Sequence, residues 1–506
     1  MADGIHLIAD HYEPEDPVGT IVVRGPYGRG FPFSVIYARI YAAHGYHVIF
    51  QSVRGTAGSG GDFIPMVSEA ADAADTVAWL RQQSWFTGTF ATIGMSYLGF
   101  SQWALMSDPP PELAAAVVAV GPHDMYRAVW GSGAFALADV LGWADMMAHQ
   151  GRGMVARLAY QCTGPRRLAR ACNRLPLVTA ARELLGGGSA WFFSWLEHPD
   201  ADDPFWRRLQ MTSALQDCAL PVLLLGGWQD SFLDQTLEQY RLLRSCGAEA
   251  GITVGPWSHD QMVTRATPII VTETLAWLDQ HLAGRVGTRR RQPVRISLDK
   301  QWLDLPDWPE PVHTETLHLH PGGLLAPGVP DTVALAIFRY DPADPTPTIG
   351  GRLLARGAGY RDDSDLAARP DVLTFTSAAL PSDMTILGSP EIELDHRCDR
   401  AFFDVFVRIS AVHGNGRSTN ICEVLRRYHS ATAGRLHLQL DPTGYRLPAG
   451  SQLRVTIAGG SHPRFARNLG TSESAASGYQ MVPTTHSIQL GAHCAVTLPI
   501  VPDHPC

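Results

Sequence analysis

No stretch of this chain reaches the roughly 18 consecutive apolar residues that a membrane helix needs. The opening segment, Met1-Ala2-Asp3-Gly4-Ile5-His6, has neither the basic nor the apolar region of a signal peptide. The eight cysteines are scattered, with no C-x-x-C pair and no His-rich spacing suited to a metal. They read as reduced thiols and point to a cytoplasmic protein. There is no H-E-x-x-H and no P-loop, and Gly58-Ser59-Gly60-Gly61 reads as a flexible turn. Neither a metal nor a cofactor is therefore expected. Charged residues make up only 18% of the chain, and the net charge of −9 leaves no basic footprint for nucleic acid. What remains is a globular composition, 45% hydrophobic, in 506 residues, which is too long for one ordinary core and predicts two or three domains.

The apolar run Phe90-Ala91-Thr92-Ile93 leads into Gly94-Met95-Ser96-Tyr97-Leu98-Gly99, and Phe100 to Met106 then looks helical. A strand, a sharp turn with serine at its apex and a helix form a nucleophile elbow. Its second glycine comes three residues after the serine, not two, and a glycine-flanked turn can equally serve close packing. Two more apolar runs change the balance. Val222-Leu223-Leu224-Leu225 leads to Gly226-Gly227-Trp228-Gln229-Asp230, and Ile252-Thr253-Val254 to Gly255-Pro256-Trp257-Ser258-His259. Runs of this kind suit strands buried on both faces of a parallel sheet. Ser96, Asp230 and His259 thus lie just past three strand ends, in the chain order of an α/β-hydrolase triad and at the edge where such sheets bind ligands. Alone, Asp230 could be a helix cap and His259 a loop histidine. Together they supply a nucleophile, an orienting carboxylate and a general base. The tetrahedral oxyanion needs two donors. The backbone N–H of Tyr97 is one. Tyr27, in the loop after Thr20-Ile21-Val22-Val23-Arg24, is a candidate for the other, or else a packed turn tyrosine.

Residues 1–122 and 217–285 carry the strand–helix alternation of the catalytic domain, including a helix predicted from Glu69 to Gln82. Residues 123–216 interrupt it with Ala, Leu, Met and aromatics, and read as a helical cap over the sheet edge. Most of those aromatics belong to the cap's own core. Trp130 and Trp143 are taken, with Phe232, as candidate substrate contacts. Residues 286–506 differ in kind. Phe403–Ala411, Leu436–Leu440 and Leu453–Ile457 alternate with period two between turn residues, the pattern of an all-β sandwich. Pro463–Asn468 is expected to be a buried polar turn linking domains, and Arg289-Arg290-Arg291 a solvated linker.

Arg24-Gly25-Pro26-Tyr27, Val53-Arg54-Gly55 with Gly58 to Phe63, Ile93 to Gly99, Gly227-Trp228-Gln229-Asp230 and Gly255-Pro256-Trp257-Ser258-His259 together resemble the signature set of the cocaine esterase-like (CocE/NonD) serine hydrolases, which are related to X-Pro dipeptidyl-peptidases. The resemblance spans nearly the whole chain. It implies an α/β-hydrolase domain with a helical cap and a C-terminal jelly-roll sandwich. It also implies an elbow of the form G-x-S-Y-x-G, an oxyanion hole of the Tyr27 hydroxyl and the Tyr97 amide, and a homodimer. The first residues resemble the family's first hairpin without the strand that usually precedes it, which implies either a late start or missing residues.

The same resemblance leaves the substrate open among esters, β-lactam side-chain amides, α-amino acid esters and X-Pro dipeptides. Phe232 and Leu233 stand where the α-amino acid ester hydrolases look to carry acids, and an apolar pair favours an uncharged, aromatic-tolerant acyl group. A carboxylic ester hydrolase working through an acyl-enzyme on Ser96 is therefore expected. An amidase or dipeptidyl-peptidase using Asp139 or Asp145 for an amine, and an acyltransferase, are the alternatives. A non-enzymatic binding scaffold is the rival class, and the complete Ser-Asp-His set argues against it.

Overall fold

The computed structural model describes residues 1–150, 154–285, 290, 292–299, 301–354, 357–430 and 434–501, and no side chain is described for residues 154–161. Nine strands form the first sheet: β1 (Ala9–Tyr12), β2 (Gly19–Gly25), β3 (Tyr46–Ser52), β4 (Phe90–Met95), β5 (Leu113–Ala119), β6 (Val222–Gln229), β7 (Ala250–Ser258), β8 (Val294–Leu298) and β9 (Gln301–Leu305). Their spatial order is β1-β3-β2-β4-β5-β6-β7-β8-β9. β2 to β8 run parallel, and β1 and β9 close the two edges antiparallel. β2, β3 and β6 are buried along their whole length, as their apolar runs require when helices cover both faces.

Helices α1 (Ile40–Ala42), α2 (Glu69–Leu80), α3 (Tyr97–Met106), α10 (Leu233–Ser245) and α11 (Thr267–His281) flank this sheet. Between β5 and β6 the chain leaves it for α4 (Met125–Trp130), α5 (Leu137–Ala148), α6 (Met154–Asn173), α7 (Leu177–Leu185), α8 (Trp191–Glu197) and α9 (Ser213–Gln216). This is the helical cap. Its aromatics pack on one another: Trp143 lies 4.7 Å from Trp191 and 5.9 Å from Trp195, ring centre to ring centre.

The expected domain boundary falls near residue 285, with Val286 and Gly287 outside the described residues. The first sheet continues beyond it, because Val294 pairs with Ile252 and β9 hairpins back on β8. Arg289 and Arg291 also lie outside the described residues. Arg290 is no solvated linker residue. It donates to Glu273 at 2.6 Å and to the Thr253 hydroxyl at 2.9 Å, anchoring the crossing into β8.

From His313 to Val501 the described residues form strands and their connections, with short 3-10 segments at Pro321–Gly323 and Ser364–Ala368. Among the described residues, thirteen strands hydrogen-bond into a second sheet that closes on a core containing Leu319, Ile392, Val407, Ile457 and Val496. Phe403–Val412 is buried on both faces, although its period-two pattern predicts one wet face. The polar face is covered and paired instead. Arg408 donates to Glu423 at 2.7 Å, Asp404 accepts from Arg427 at 2.8 Å, and Ser410 donates to Asp363 at 2.6 Å. Burying such groups is tolerable only when they are paired in this way. Pro463–Asn468 ties this domain to the cap: Ala138 N–H donates to the Pro463 carbonyl and Ala466 N–H to the Phe135 carbonyl.

Among the described residues no helix is long and apolar enough to cross a membrane.

Candidate active site

β4 stops at Met95, and Ser96 takes φ 58° and ψ −122°, a conformation that side chains other than glycine rarely adopt. The turn is held from below: Ser96 N–H donates to the Ala119 carbonyl of β5 at 2.9 Å, and the Ser96 carbonyl accepts from Gly99 N–H at 2.8 Å. The odd spacing of the second glycine has a steric cause. A Cβ on Gly99 would stand 2.5 Å from Gly121 Cα, so α3 can lie against the turn after β5 only because both residues are glycine. Tyr97 opens α3, so its N–H has no intrahelical acceptor.

Asp230 follows β6 and is fully buried. One carboxylate oxygen accepts from Phe232 N–H at 2.8 Å and the other meets His259 Nδ1 at 2.6 Å. That contact requires a proton on Nδ1, the ring nitrogen that faces the carboxylate. Phe232 sets its ring edge-on to the same imidazole, 5.4 Å away at 85°. A sharp local approach makes room for this pairing, because a Cβ on Gly227 would fall 2.3 Å from the Trp257 carbonyl oxygen.

Tyr27 is half-buried, and its hydroxyl lies against the Ser96 hydroxyl and the Trp143 indole. Burial pushes its pKa up to about 12, only partly offset by those two contacts, so the phenol keeps its proton at neutral pH and can donate it in a hydrogen bond.

Over Ser96 lies a cavity of about 60 Å³. Tyr27, Tyr97, Phe232 and Trp143 line it, as do Met66, Trp195 and Leu354. Trp130 does not. It sits behind the wall, donating its indole N–H to the Trp195 carbonyl at 2.8 Å and packing 5.1 Å from Phe135. The expectation that Trp130 touches substrate is corrected accordingly: its side chain is a strut of the cap core. Asp139 reaches the cavity wall, accepting from Leu354 N–H at 2.9 Å. Asp145 does not, being buried beside His149 at 3.3 Å. Leu354 and Ser231 carry no sequence signal of their own. Leu354 arrives from the β domain, and Ser231 stands between two conspicuous neighbours.

Among the described residues no group of three or more His, Cys, Asp or Glu side chains is arranged to hold a metal.

Residues 3–261 match the X-Pro dipeptidyl-peptidase (S15 family) profile, and residues 286–498 match that of the X-Pro dipeptidyl-peptidase C-terminal non-catalytic domain. The cocaine esterase of Rhodococcus sp. (strain MB1 Bresler) is 28% identical over 535 residues, covering 93% of this chain and 91% of that protein. Among solved structures, an aminopeptidase from a marine sediment Thaumarchaeota archaeon superposes with a TM-score of 0.83 at 20% identity, over 99% of this chain and 95% of that one. An α-amino acid ester hydrolase superposes equally well, with the same identity and coverage. These two likenesses speak to the fold.

Proposed function

The chain belongs to the X-Pro dipeptidyl-peptidase (S15) family and is a serine hydrolase, and from that premise we propose that it cleaves carboxylic esters of short, uncharged acyl groups through an acyl-enzyme on Ser96. The observation that carries this is the apolar cavity over Ser96, walled by Phe232 two residues beyond Asp230. At about 60 Å³ it is well below the roughly 150 Å³ that holds a benzene ring. A short aliphatic acyl group suits it better than the aromatic one that Phe232 and Leu233 suggest from sequence.

In the proposed reaction Ser96 Oγ forms a bond to the ester carbonyl carbon while His259 Nε2 takes the serine proton. The carbonyl π pair moves onto oxygen, where the Tyr27 hydroxyl and the Tyr97 N–H donate to it. Asp230 stabilises the imidazolium. Collapse breaks the bond to the alcohol oxygen, which leaves with the proton from His259. Water then attacks the acyl carbon, giving its proton to His259. The acid departs, and the proton returns to Ser96.

A dipeptidyl-peptidase is the second reading. It is favoured by one observation, the Asp139 carboxylate on the cavity wall, which would meet a substrate ammonium.

Labelling with a fluorophosphonate probe tests the nucleophile: wild type is expected to react and Ser96→Ala not to. Unlabelled wild type would overturn the assignment of Ser96. p-Nitrophenyl butyrate assayed beside Gly-Pro-p-nitroanilide separates the two readings. Turnover of the ester alone is expected, and turnover of the dipeptide amide alone would move the assignment to the second.

A further inference from the structure

A second cavity of about 430 Å³ adjoins the one over Ser96, within the roughly 300–1,000 Å³ of ligand sites. The two share Ala128, Asp139 and Ser231 as a common wall. The outer chamber is built where the cap, α10 and the β domain meet. Its lining carries five arginines and five carboxylates, so its formal charge sums to zero. Those charges are largely spent on one another. Arg352 donates to Asp234 at 2.8 Å and lies 3.6 Å from Asp441, Arg127 pairs with Glu238, and Arg464 pairs with Glu423. A charged ligand that engaged Arg352, Arg464 or their carboxylates would have to compete with pairs that are partly or fully buried, which is costly. An uncharged ligand rich in hydroxyls meets no such barrier. It can donate to carboxylates and accept from guanidiniums without breaking a pair, and such charge-assisted hydrogen bonds are the stronger kind.

One group at the junction waits for a partner. The Ser231 hydroxyl is shielded from solvent and has no hydrogen-bond partner among the described residues, yet its residue lines both cavities. A buried hydroxyl left unmatched costs about 1–3 kcal/mol, and a ligand that matches it recovers part of that.

We propose that the outer chamber receives the alcohol half of the ester, that this alcohol is an uncharged polyol of the sugar type, and that Ser231 hydrogen-bonds it at the threshold. The proposal rests on the esterase reading above and narrows its substrate class. The acyl group enters the small apolar cavity, the scissile bond lies over Ser96, and the hydroxylated leaving group fills the polar chamber.

Ethyl butyrate, 6-O-butyrylglucose and butyrylcholine share an acyl group and differ in the alcohol. Their hydrolysis is followed by proton release at constant pH. The glucose ester is expected to exceed the other two in kcat/KM by about tenfold or more. In Ser231→Ala the ratio of glucose-ester to ethyl-ester kcat/KM should fall about three- to tenfold, the worth of one hydrogen bond. Cleavage of ethyl butyrate with no preference for the glucose ester would overturn the chamber assignment and leave the esterase reading standing. A preference that survives unchanged in Ser231→Ala would overturn the role of Ser231. Cleavage of none of the three esters would overturn the esterase reading and this proposal together.

Discussion

The Tyr97 phenol donates to the buried Glu69 carboxylate at 2.8 Å, directly beneath the turn that carries Ser96. The same hydroxyl accepts from Met66 N–H at 2.9 Å, and Met66, at φ 70°, lines the cavity over Ser96. One side chain therefore joins the serine turn to the cavity wall. Glu69 faces Arg24 at 3.2 Å. Burial raises its pKa, and Arg24 and Tyr97 pull the other way. Tyr97 is thus a positioning residue through its ring as well as a candidate donor through its backbone.

Removing either end of that contact leaves a buried group unmatched. Tyr97→Phe is expected to cost about 1–3 kcal/mol, and Glu69→Gln about 3–5 kcal/mol because it strands Arg24. The double variant should cost less than the sum, since both share one network. Urea unfolding of the four proteins measures the coupling. Additive losses would mean that the two side chains act independently.

Gly99 gives a second, steric test. An alanine Cβ there would meet Gly121 Cα at 2.5 Å and Val118 Cγ1 at 3.1 Å, so backbone must move. Gly99→Ala is expected to destabilise by about 1–3 kcal/mol. It should also lower kcat more than it raises KM, because the Tyr97 N–H is carried on the same helical turn and small misplacements are expensive. Gly414 has nothing within 4 Å of its would-be Cβ, and Gly414→Ala should stay within about 0.5 kcal/mol of wild type. A Gly99→Ala enzyme with wild-type kcat would remove the steric account of the displaced glycine.

These local features are the ones legible in sequence. β4, β6 and β7 announce themselves as apolar runs followed by glycines, although Gly226, Gly227 and Gly255 lie within β6 and β7 and not in turns, and the sheet they build brings Asp230 against His259. Side-chain direction within the cap is not legible. Trp130 and Trp143 are both apolar-face aromatics 13 residues apart, yet one faces the cavity and the other the cap core. Leu354 and the outer chamber are invisible for another reason: their neighbours lie hundreds of residues away, and no local pattern records a contact between domains. The both-sides burial of Phe403–Val412 is hidden in the same way, since its partners Asp363 and Arg427 sit on other segments.

The β domain also carries a built-in sensitivity to acid. His396 and His486 are both fully buried and touch at 3.0 Å, with Thr484 2.9 Å from the far nitrogen of His486. Burial pushes the pKa of His396 down to about 4, and burial together with His396 pushes that of His486 down to about 3. His123 and His462, at the junctions of the cap, are likewise lowered to about 4 by burial. In the unfolded chain these imidazoles take up protons near pH 6.5. Between that pH and about 4 the unfolded state binds more protons than the folded one, so stability is whole above 6.5 and is lost progressively as the pH falls. At pH 5 each histidine contributes a loss of roughly 2 kcal/mol. Asp441, raised to about 6 by burial, works in the opposite direction, as do Glu69 and Asp124, whose pKa values burial also raises, and these three carboxyl groups offset part of the loss from the four histidines. Unfolding in urea is therefore expected to need markedly less denaturant at pH 5.0 than at pH 7.5. His486→Gln keeps an amide for Thr484 and cannot take up the proton, so it should lose less stability than wild type across the same interval. An equal loss in both proteins would show that His486 takes up its proton as readily in the folded state as in the unfolded chain and that acid lability arises elsewhere.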